Sequence, residues 1–419
     1  MVRRLREGGH VAYFAGGCVR DELLGLAPKD YDVATDAHPD VVRDVFGRSR
    51  TQAVGAAFGV ILVHEGRSII EVATFRTDLE YHDGRRPSGV VFTGAEEDAR
   101  RRDFTINGLF RDPLATDPDD DGIIDHVGGK KDLRDGVLRA IGEPARRFGE
   151  DYLRMLRAVR FAARFGMRIE PATWEAITRY APRLAQIAPE RVADELRRVL
   201  TVQSRSEAWR LLWESGLLAV ILRTMPEKVP DMPERRPVME HLGAIDRPIS
   251  FPLALAGTVI EARYAAGVPV RVVLEPQEVK RAAQAWRQAL RFSNEEESQF
   301  SGALALWPLV QEAEPSVAQM KRFLADPDSA DAREVLASLR FVPTLRERID
   351  WLAARFEALE QEEVAPPPLL TGDDLVEMGM TPGPAFKRIL DDVYDAQLEG
   401  RVAGRAEAME MARGLGSSR

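Results

Sequence analysis

The hydrophobic pattern of the chain changes character near residue 140. Before that point, short β-rich runs alternate with helical ones. An apolar run at 11–15 has the character of a strand, and 39–46 has the apolar spacing of a helix. Residues 58–64 and 68–75 are β-branched runs on either side of Glu65-Gly66, which predicts a hairpin. The first third of the chain is therefore expected to combine a sheet with helices.

From residue 141 onward the pattern is helical. Residues 147–165 place apolar side chains at helical spacing among charged ones, which predicts one amphipathic helix over this range. Another helix is expected to begin at Pro189, because proline is favoured at the first position of a helix. Proline-rich breaks at 226–237 and 362–368 indicate linkers.

These changes predict an α+β chain in which a small β/α head precedes three all-helical modules. The chain has 419 residues, more than one ordinary domain contains. We expect a head over 1–140 and a helical neck over 141–200. A helical body over 201–361 and a helical tail over 362–419 would follow.

Charge is distributed unevenly along the sequence. The formal net charge is −9, which argues against a general nucleic-acid coat protein. Residues 139–198 nevertheless hold 13 arginines against 8 acidic residues, a local positive surplus. Cys18 is the only cysteine, which excludes an internal disulfide and fits a reducing cytoplasm. No apolar run is long enough to span a membrane, and no protein partner is evident.

Candidate metal chemistry lies in Asp30-Tyr31-Asp32. The surrounding run has the character of a strand, and residues two apart on a strand share a face, so the two carboxylates are expected to lie together. Adjacent carboxylates repel each other unless a cation lies between them. Mg²⁺ prefers such oxygen ligands, with substrate phosphates completing its shell. The sequence therefore indicates a Mg²⁺ site at this pair.

A glycine turn lies about ten residues before the acid pair. Gly16-Gly17 follows an apolar strand and precedes a helix that carries Arg20. Glycines allow the backbone to approach a phosphate, and the first turn of a helix offers free N–H groups. The turn and the acid pair together favour a nucleotide site more strongly than either does alone.

The stretch GGCVRDELLGLAPKDYDVATDA, which contains both features, resembles the head signature of the class II nucleotidyltransferases. These are the tRNA CCA-adding enzymes and the bacterial poly(A) polymerases. Residues 101–107, 150–154 and 189–192 agree with the same family in order and spacing. The resemblance covers about residues 10–200 and is weaker beyond, although 370–384 resembles the tail with which tRNA nucleotidyltransferases bind the tRNA body.

The resemblance implies roles for individual residues. Asp30 and Asp32 would be catalytic metal ligands, while Asp103 and Asn107 would position the ribose and triphosphate. Without the resemblance, Arg101-Arg102-Asp103 would be interpreted as a solvated helix end. The residues assigned to nucleotide binding are Gly16, Gly17, Arg20, Arg102, Asp103, Asn107, Glu150, Asp151, Arg154 and Arg157.

Asp151 and Arg154 would select the base. Cytosine and adenine present an amino donor beside a ring-nitrogen acceptor, whereas uracil and guanine present a carbonyl acceptor beside an N–H donor. A carboxylate beside a guanidinium offers the order that suits C and A. Glu150 would orient the arginine and Arg157 would reach phosphate. The structural alternative is an exposed helix stabilised by ion pairs at steps of three.

Two further features leave alternatives open. Glu71 lies among apolar residues of a predicted strand, so it is either a strand-edge glutamate paired with an arginine or a third acid of the metal site. The polar stretch 77–87 is a surface loop by composition. The resemblance implies a flexible loop there, in which Asp83, Arg85 and Arg86 could pair with the head or with the helix that carries the base-selecting residues.

The function expected from the resemblance is completion of the 3′-CCA end of tRNA from CTP and ATP, with Mg²⁺ and without a nucleic-acid template. Poly(A) polymerase is one alternative, and an A-adding enzyme that works with a separate CC-adding enzyme is another. A non-catalytic RNA-binding scaffold is the alternative from another class of protein. The intact Asp30, Asp32 and Arg154 argue against a scaffold.

Overall fold

A computed structural model describes residues 1–55, 58–79, 89–116, 121–222, 236–266, 273–311 and 314–417. The chain divides into two compact units. The first comprises Met1–Val199 and Glu207–Ile221, and the second comprises Leu200–Ser206 and Leu222–Arg419. The described part of the first unit contains strands and helices, and that of the second contains helices. The α+β class is therefore confirmed, while the division at 140, 200 and 361 remains a prediction.

A seven-stranded sheet lies at the centre of the first unit. The strands of this unit are β1 (Ala12–Ala15), β2 (Val33–Thr35), β3 (Thr51–Gly55), β4 (Val60–Glu65), β5 (Ser68–Thr74), β6 (Arg76–Asp78), β7 (Val90–Phe92), β8 (Leu109–Arg111), β9 (Ile123–Asp125), β10 (Val137–Leu138) and β11 (Arg168–Ile169). The sheet order is β3-β4-β5-β2-β1-β8-β9, and β2 with β5 is its parallel pair. Strands β6 and β7 form a separate antiparallel ribbon, and β10 and β11 form a parallel one.

The helices of this part of the chain are α1 (Val2–Glu7), α2 (Gly17–Leu23), α3 (Pro39–Phe46), α4 (Ala95–Arg100), α5 (Gly129–Arg134), α6 (Pro144–Glu150), α7 (Leu153–Phe165), α8 (Pro171–Tyr180), α9 (Pro189–Leu200), α10 (Arg205–Glu214) and α11 (Leu217–Ile221). Short 3₁₀ turns occur at Arg48–Arg50, Thr105–Asn107 and Ala181–Gln186. The predicted helix at 39–46 and the predicted start at Pro189 are both confirmed.

The sheet is held by apolar side chains that alternate along its strands. Ile61 and Val63 of β4 and Val72 of β5 are fully buried against Val42 and Phe46 of α3. Strands β4 and β5 form the predicted hairpin, with Glu65 opposite Ser68. The alternation of buried and exposed positions along β4 is what a half-buried strand requires.

The prediction of one helix over 147–165 is wrong. The chain leaves the helical conformation at Asp151 (φ −154°, ψ 106°), between α6 and α7. The Asp151 carboxylate accepts a hydrogen bond from the Leu153 N–H at 3.0 Å, and its carbonyl accepts one from the Arg154 N–H at 3.0 Å. Aspartate competes well for the free N–H groups of a first helical turn, so this residue starts a new helix although the apolar spacing continues through it.

The second unit is a set of helices in its described residues. They are α12 (Pro237–Ala244), α13 (Phe251–Ala265), α14 (Pro276–Leu290), α15 (Asn294–Ala303), α16 (Trp307–Val310), α17 (Val317–Ala325), α18 (Ser329–Ser338), α19 (Pro343–Leu359), α20 (Gly372–Glu377), α21 (Pro384–Leu398) and α22 (Arg405–Ser417), with a 3₁₀ turn at Leu339–Phe341. The predicted linker at 362–368 contains no helix. The linker predicted at 226–237 falls mostly outside the described residues.

Tryptophans mark the interiors of both units. Trp209 and Trp213 of α10 and Trp286 of α14 are buried. Trp307 and Trp351 are partly exposed. Across the described ranges, no helix combines the length and apolarity that a membrane span needs.

Gly129 provides a test of how the head holds its site. A Cβ added at Gly129 would lie 2.2 Å from the Thr105 carbonyl oxygen, in the turn that carries Asn107. We expect Gly129→Ala to lower the free energy of unfolding by about 2 kcal/mol or more, because backbone on both sides must move. Urea unfolding followed by circular dichroism measures this.

The matched control is Gly149→Ala in α6. No heavy atom lies within 4 Å of a Cβ built there, and alanine favours a helix over glycine by about 1 kcal/mol. The control is therefore expected to be neutral or slightly stabilising. Equal destabilisation by the two substitutions would contradict the steric account.

Candidate active site

The first unit contains a cavity of about 600 Å³ that brings most of the predicted site residues together. Eleven of them line it: Gly16, Gly17, Arg20, Asp32, Glu71, Arg102, Asp103, Asn107, Asp151, Arg154 and Arg157. Asp30 and Glu150 are not part of the lining. Asp83, Arg85 and Arg86 of the predicted loop lie outside the described residues.

Asp30 and Asp32 precede strand β2 instead of lying within it, which corrects the expectation from sequence. The Asp32 carbonyl accepts a hydrogen bond from the Ala15 N–H at 3.0 Å, so the residue is held at the end of β1. In the parallel pair of β2 and β5, Val33 lies opposite Val72. One residue earlier on each strand, this register places Asp32 beside Glu71.

Glu71 lies on β5, which has β4 on one side and β2 on the other. The strand-edge alternative for this residue is therefore wrong, because β5 is interior to the sheet. Among the residues that the structure describes, Glu71 forms no ion pair with an arginine. Its side chain lines the cavity instead, next to Asp32.

This arrangement of acidic residues changes the pKa of Asp32. Burial, together with the negative charges of Glu71 and Asp30, raises the pKa of Asp32 to about 6. Arg102 opposes this effect. The charged form of Asp32 is therefore disfavoured in this site, and a cation beside it would relieve the repulsion from its two acidic neighbours.

This set fits a divalent metal ion that is also bound by a substrate. Hard cations prefer carboxylate oxygens, and Mg²⁺ commonly takes one or two carboxylates with substrate phosphates. Within the described ranges, no three acidic, histidine or cysteine side chains are close enough to hold an ion by themselves. Oxygens from a bound nucleotide would have to complete the coordination.

The Gly16-Gly17 turn lies against arginine side chains. Gly16 has φ 69°, and a Cβ at this position would be 2.6 Å from Arg102 Nη1. The positive φ favours glycine at this position, and the absence of a side chain leaves room for the Arg102 guanidinium. Arg102 also donates to the Asn107 carbonyl at 3.1 Å, which fixes its guanidinium beside the start of α2.

Arg20 is buried on the other side of the turn. Its guanidinium lies 5.1 Å from the ring centre of Phe161 and 4.8 Å from that of Phe165. It donates to Asp21 Oδ1 at 2.8 and 2.6 Å and to the side-chain oxygen of Asn107. Burial lowers the pKa of Arg20, while Asp21 raises it.

Asp103 organises the centre of the cavity. Its Oδ2 accepts hydrogen bonds from Arg157 Nε at 2.8 Å and Nη2 at 2.5 Å, and its Oδ1 accepts one from Asn107 Nδ2 at 2.9 Å. Burial alone would raise the pKa of Asp103, but the charge of Arg157 and these hydrogen bonds hold it at about 2. Asp103 is therefore ionised, and it fixes Arg157 and Asn107.

The two predicted base-selecting residues come from different local structures. Asp151 lies two residues before α7 begins, and its Oδ2 accepts a hydrogen bond from Arg191 of α9 at 2.7 Å. Arg154 lies in the first turn of α7 and donates to Glu150 Oε2 at 2.5 Å. Asp151 and Arg154 therefore both line the cavity. They do not lie on one face of a single helix, because Asp151 is outside α7 and Arg154 is within it. The contact between Glu150 and Arg154 is the one expected from sequence.

Sequence reasoning missed five arginines of the lining. They are Arg76, Arg101, Arg160, Arg164 and Arg191. Arg160 and Arg164 continue the spacing of Arg154 and Arg157 along α7, so the helical period contained a signal for them.

Helix α9 contacts α7 and also contributes to the cavity. Its Glu195 binds Arg160 at 2.8 Å, and Arg191 reaches the cavity. In total nine arginines and four acidic residues line the cavity, a surplus of positive charge that suits a triphosphate.

Comparisons with known proteins agree with this geometry. A family model described as "Poly A polymerase head domain" matches residues 12–139, and one described as "Probable RNA and SrmB- binding site of polymerase A" matches 166–228. A protein of Limosilactobacillus fermentum named "CCA-adding enzyme" is 31% identical over 99% of this chain and 95% of its own length.

Other relatives match over shorter ranges. "Poly(A) polymerase I" of Escherichia coli is 44% identical over 54% of this chain and 49% of its own, and in such alignments the chain spans about half the length of the curated relatives it matches.

A solved structure covers nearly the whole chain. The Bacillus stearothermophilus CCA-adding enzyme in complex with CTP superimposes with a TM-score of 0.70 at 30% identity, over 99% of this chain and 96% of that one. Nucleotidyltransferases of this kind generally use a divalent metal ion, which agrees with the acidic cluster. The chain belongs to the CCA-adding enzyme and poly(A) polymerase family and is a nucleotidyltransferase.

Proposed function

We propose that this enzyme adds C, C and A to the 3′ end of tRNA, using CTP and ATP and no nucleic-acid template. The observation that supports this proposal most strongly is one cavity. It brings together carboxylates, an excess of arginines over acidic residues, and both Asp151 and Arg154. A coat or scaffold protein has no need of that combination. The single, buried Cys18 suits a reducing cytoplasm, where we place the reaction.

The chemistry is an in-line transfer of a nucleotidyl group. The 3′-oxygen of the RNA forms a bond with the α-phosphorus, the bond to the bridging oxygen of the β-phosphate breaks, and pyrophosphate leaves. Asp30 and Asp32 would hold Mg²⁺, with Glu71 as a third acid. When bound, the ion supplies Lewis-acid stabilisation of the charge on the phosphate oxygens.

The arginines of the cavity act on the rest of the nucleotide. Arg20 and Arg102 flank the Gly16-Gly17 turn and would bind the triphosphate. Asp103 fixes Arg157 beside them, so this cation is oriented before substrate arrives. Orientation in advance lowers the entropy that binding would otherwise cost.

Base selection would follow from Asp151 and Arg154. Each carboxylate oxygen of Asp151 already accepts one hydrogen bond and retains a further lone pair for the amino group of cytosine or adenine. Arg154 keeps N–H groups that can donate to the ring nitrogen beside that amino group. Uracil and guanine present the opposite order and would leave both residues unsatisfied.

The relatives favour CCA addition over poly(A) synthesis. The "CCA-adding enzyme" of L. fermentum aligns over nearly the whole of both chains, and so does the B. stearothermophilus structure in complex with CTP. The named poly(A) polymerase aligns over about half of each chain. CTP as well as ATP is therefore expected as a substrate here.

A primer-extension gel tests this function. Purified protein is incubated with tRNA ending before CCA, after C and after CC, and with each labelled nucleotide separately. We expect CTP to extend the first two substrates and ATP only the third, and CTP with ATP to add three nucleotides and then stop. Asp32→Ala should abolish every extension while tRNA binding, measured by filter retention, persists.

Each competing function has its own outcome in that gel. Addition of A alone, and only to tRNA ending in CC, would indicate an A-adding enzyme. Long A tails on unrelated RNA would indicate a poly(A) polymerase. RNA binding without any extension would indicate a scaffold.

The carboxylate cluster predicts a pH-dependent stability. Folding raises the pKa of Asp32 from 3.8 to about 6, so the folded state binds this proton more tightly than the unfolded chain. Stability is therefore lost as pH rises through that window. In EDTA at pH 8, Asp32→Asn should be more stable than the wild type by about 1 kcal/mol, a value reduced because solvent reaches this side chain.

Thermal unfolding at pH 8 and pH 4.5 measures the effect, which should shrink at the lower pH. Asp44→Asn is the matched control, because Asp44 is an exposed acid of α3 whose side chain is 65% accessible. It should change little at either pH. If the wild type equalled Asp32→Asn in stability at pH 8, the proposed repulsion would be absent.

A further inference from the structure

Arg147 lies behind the cavity and does not line it. Its side chain, on α6, is 12% exposed. The guanidinium donates to the carbonyl oxygens of Arg100 at 2.6 Å, Arg101 at 3.0 Å and Ile141 at 3.2 Å, and to Glu150 Oε2 at 2.8 Å. One side chain thus links the end of α4 to the segment that precedes α7.

The same Glu150 oxygen binds the base-selecting arginine. Arg154 Nη1 donates to Glu150 Oε2 at 2.5 Å and to the Arg147 carbonyl at 2.8 Å. Both acceptors of this nitrogen are therefore held by Arg147, one through its side chain and one through its backbone. The direction in which Arg154 points into the cavity depends on where Arg147 is fixed.

The opposite end of this linkage is also fixed to the cavity. Asp98 of α4 accepts hydrogen bonds from Arg101 Nε at 2.9 Å and from Arg102 Nη2 at 3.0 Å. Burial would raise the pKa of Asp98, but the charges of these two arginines outweigh it and lower the pKa. Asp98 also accepts the Arg76 N–H of β6 at 3.2 Å. Two of the three carbonyls that Arg147 binds, those of Arg100 and Arg101, therefore lie in the segment that Asp98 holds.

We propose that Arg147 is a positioning residue for base selection. It fixes Glu150, and through it Arg154, to the end of α4, where Arg101 and Arg102 face the cavity. The guanidinium of Arg147 then sets the distance between Arg154, which selects the base, and the two arginines at the end of α4. This inference rests on the proposed function, because it assumes that Arg154 selects the base.

The chemistry of the site requires arginine at 147. Three carbonyl oxygens and a carboxylate are bound from the Nε, Nη1 and Nη2 atoms of one planar group. A lysine would supply a single nitrogen and could not reach all four acceptors in that geometry. Carbonyl oxygens at the end of α4 also carry partial negative charge, which favours a cation there.

The test compares Arg147→Ala and Arg147→Lys with Arg146→Ala. Arg146 is the adjacent arginine of α6; it is 82% exposed and forms only a long ion pair with Glu150 Oε1 at 3.9 Å, so it is a matched control for losing a charge near Glu150. Single-nucleotide addition to tRNA is measured with CTP, UTP, ATP and GTP. In Arg147→Ala we expect the preference for CTP over UTP, as a ratio of kcat/KM, to fall about tenfold or more.

Other readouts separate positioning from a merely structural role. KM for CTP and ATP should rise more than kcat falls, and tRNA affinity should stay near that of the wild type. Arg147→Lys, which keeps the charge, should show an intermediate loss of preference. Arg146→Ala should match the wild type. Unchanged preference in a folded Arg147→Lys protein, with kcat lowered equally for all nucleotides, would overturn the proposal.

A double-mutant comparison covers the case in which Arg147→Ala folds poorly. If Arg147 acts through Glu150, adding Arg147→Lys to Glu150→Gln should cause no further loss of preference. Additive losses would show that Arg147 acts by another route. A wild-type protein without preference for C and A over U and G would instead refute the proposed function, which keeps the two failures distinct.

Discussion

The structure of the first unit depends on balancing the charge of the arginines around its cavity. Nine guanidinium groups line a space of about 600 Å³, and several are largely shielded from water. Guanidinium groups that share one cavity repel one another, and the repulsion is stronger where the dielectric constant is low. The offset comes from carboxylates behind or between them, as with Asp98 for Arg101 and Arg102. Each cation is thereby fixed in direction while the cavity keeps its positive surplus.

The acidic residues Asp32 and Glu71, which also line the cavity, have no such compensation from each other. Asp32 and Glu71 are neighbours in the parallel register of β2 and β5, and their repulsion contributes to the raised pKa of Asp32. The protein keeps the acids together although the metal-free fold is disfavoured by them. A site that is destabilised until a cation arrives has a high affinity for that cation. The arginines of the cavity suit a triphosphate, and Asp32 with Glu71 suits a divalent ion bound to it.

Eleven of the residues that the sequence assigned to the site line one cavity, but the sequence did not predict their local geometry. The turn at Gly16 and the hairpin of β4 and β5 follow from short-range patterns, and both were found. The break at Asp151 was missed because apolar spacing continues through it, and only the capping tendency of aspartate marks it. The contacts of Arg147 and Arg191 join residues that are about 40 or more apart, so no local pattern contains them.

Asp151 and Arg154, each held by its own partner, are proposed to select the base without RNA. Equilibrium binding of the four nucleoside triphosphates to the protein without RNA, measured by isothermal titration calorimetry with Mg²⁺, tests this proposal most directly. Unsatisfied hydrogen-bonding groups cost about 1–3 kcal/mol, so CTP and ATP should bind about tenfold to a hundredfold more tightly than UTP and GTP. Equal affinity for all four nucleotides would contradict the account.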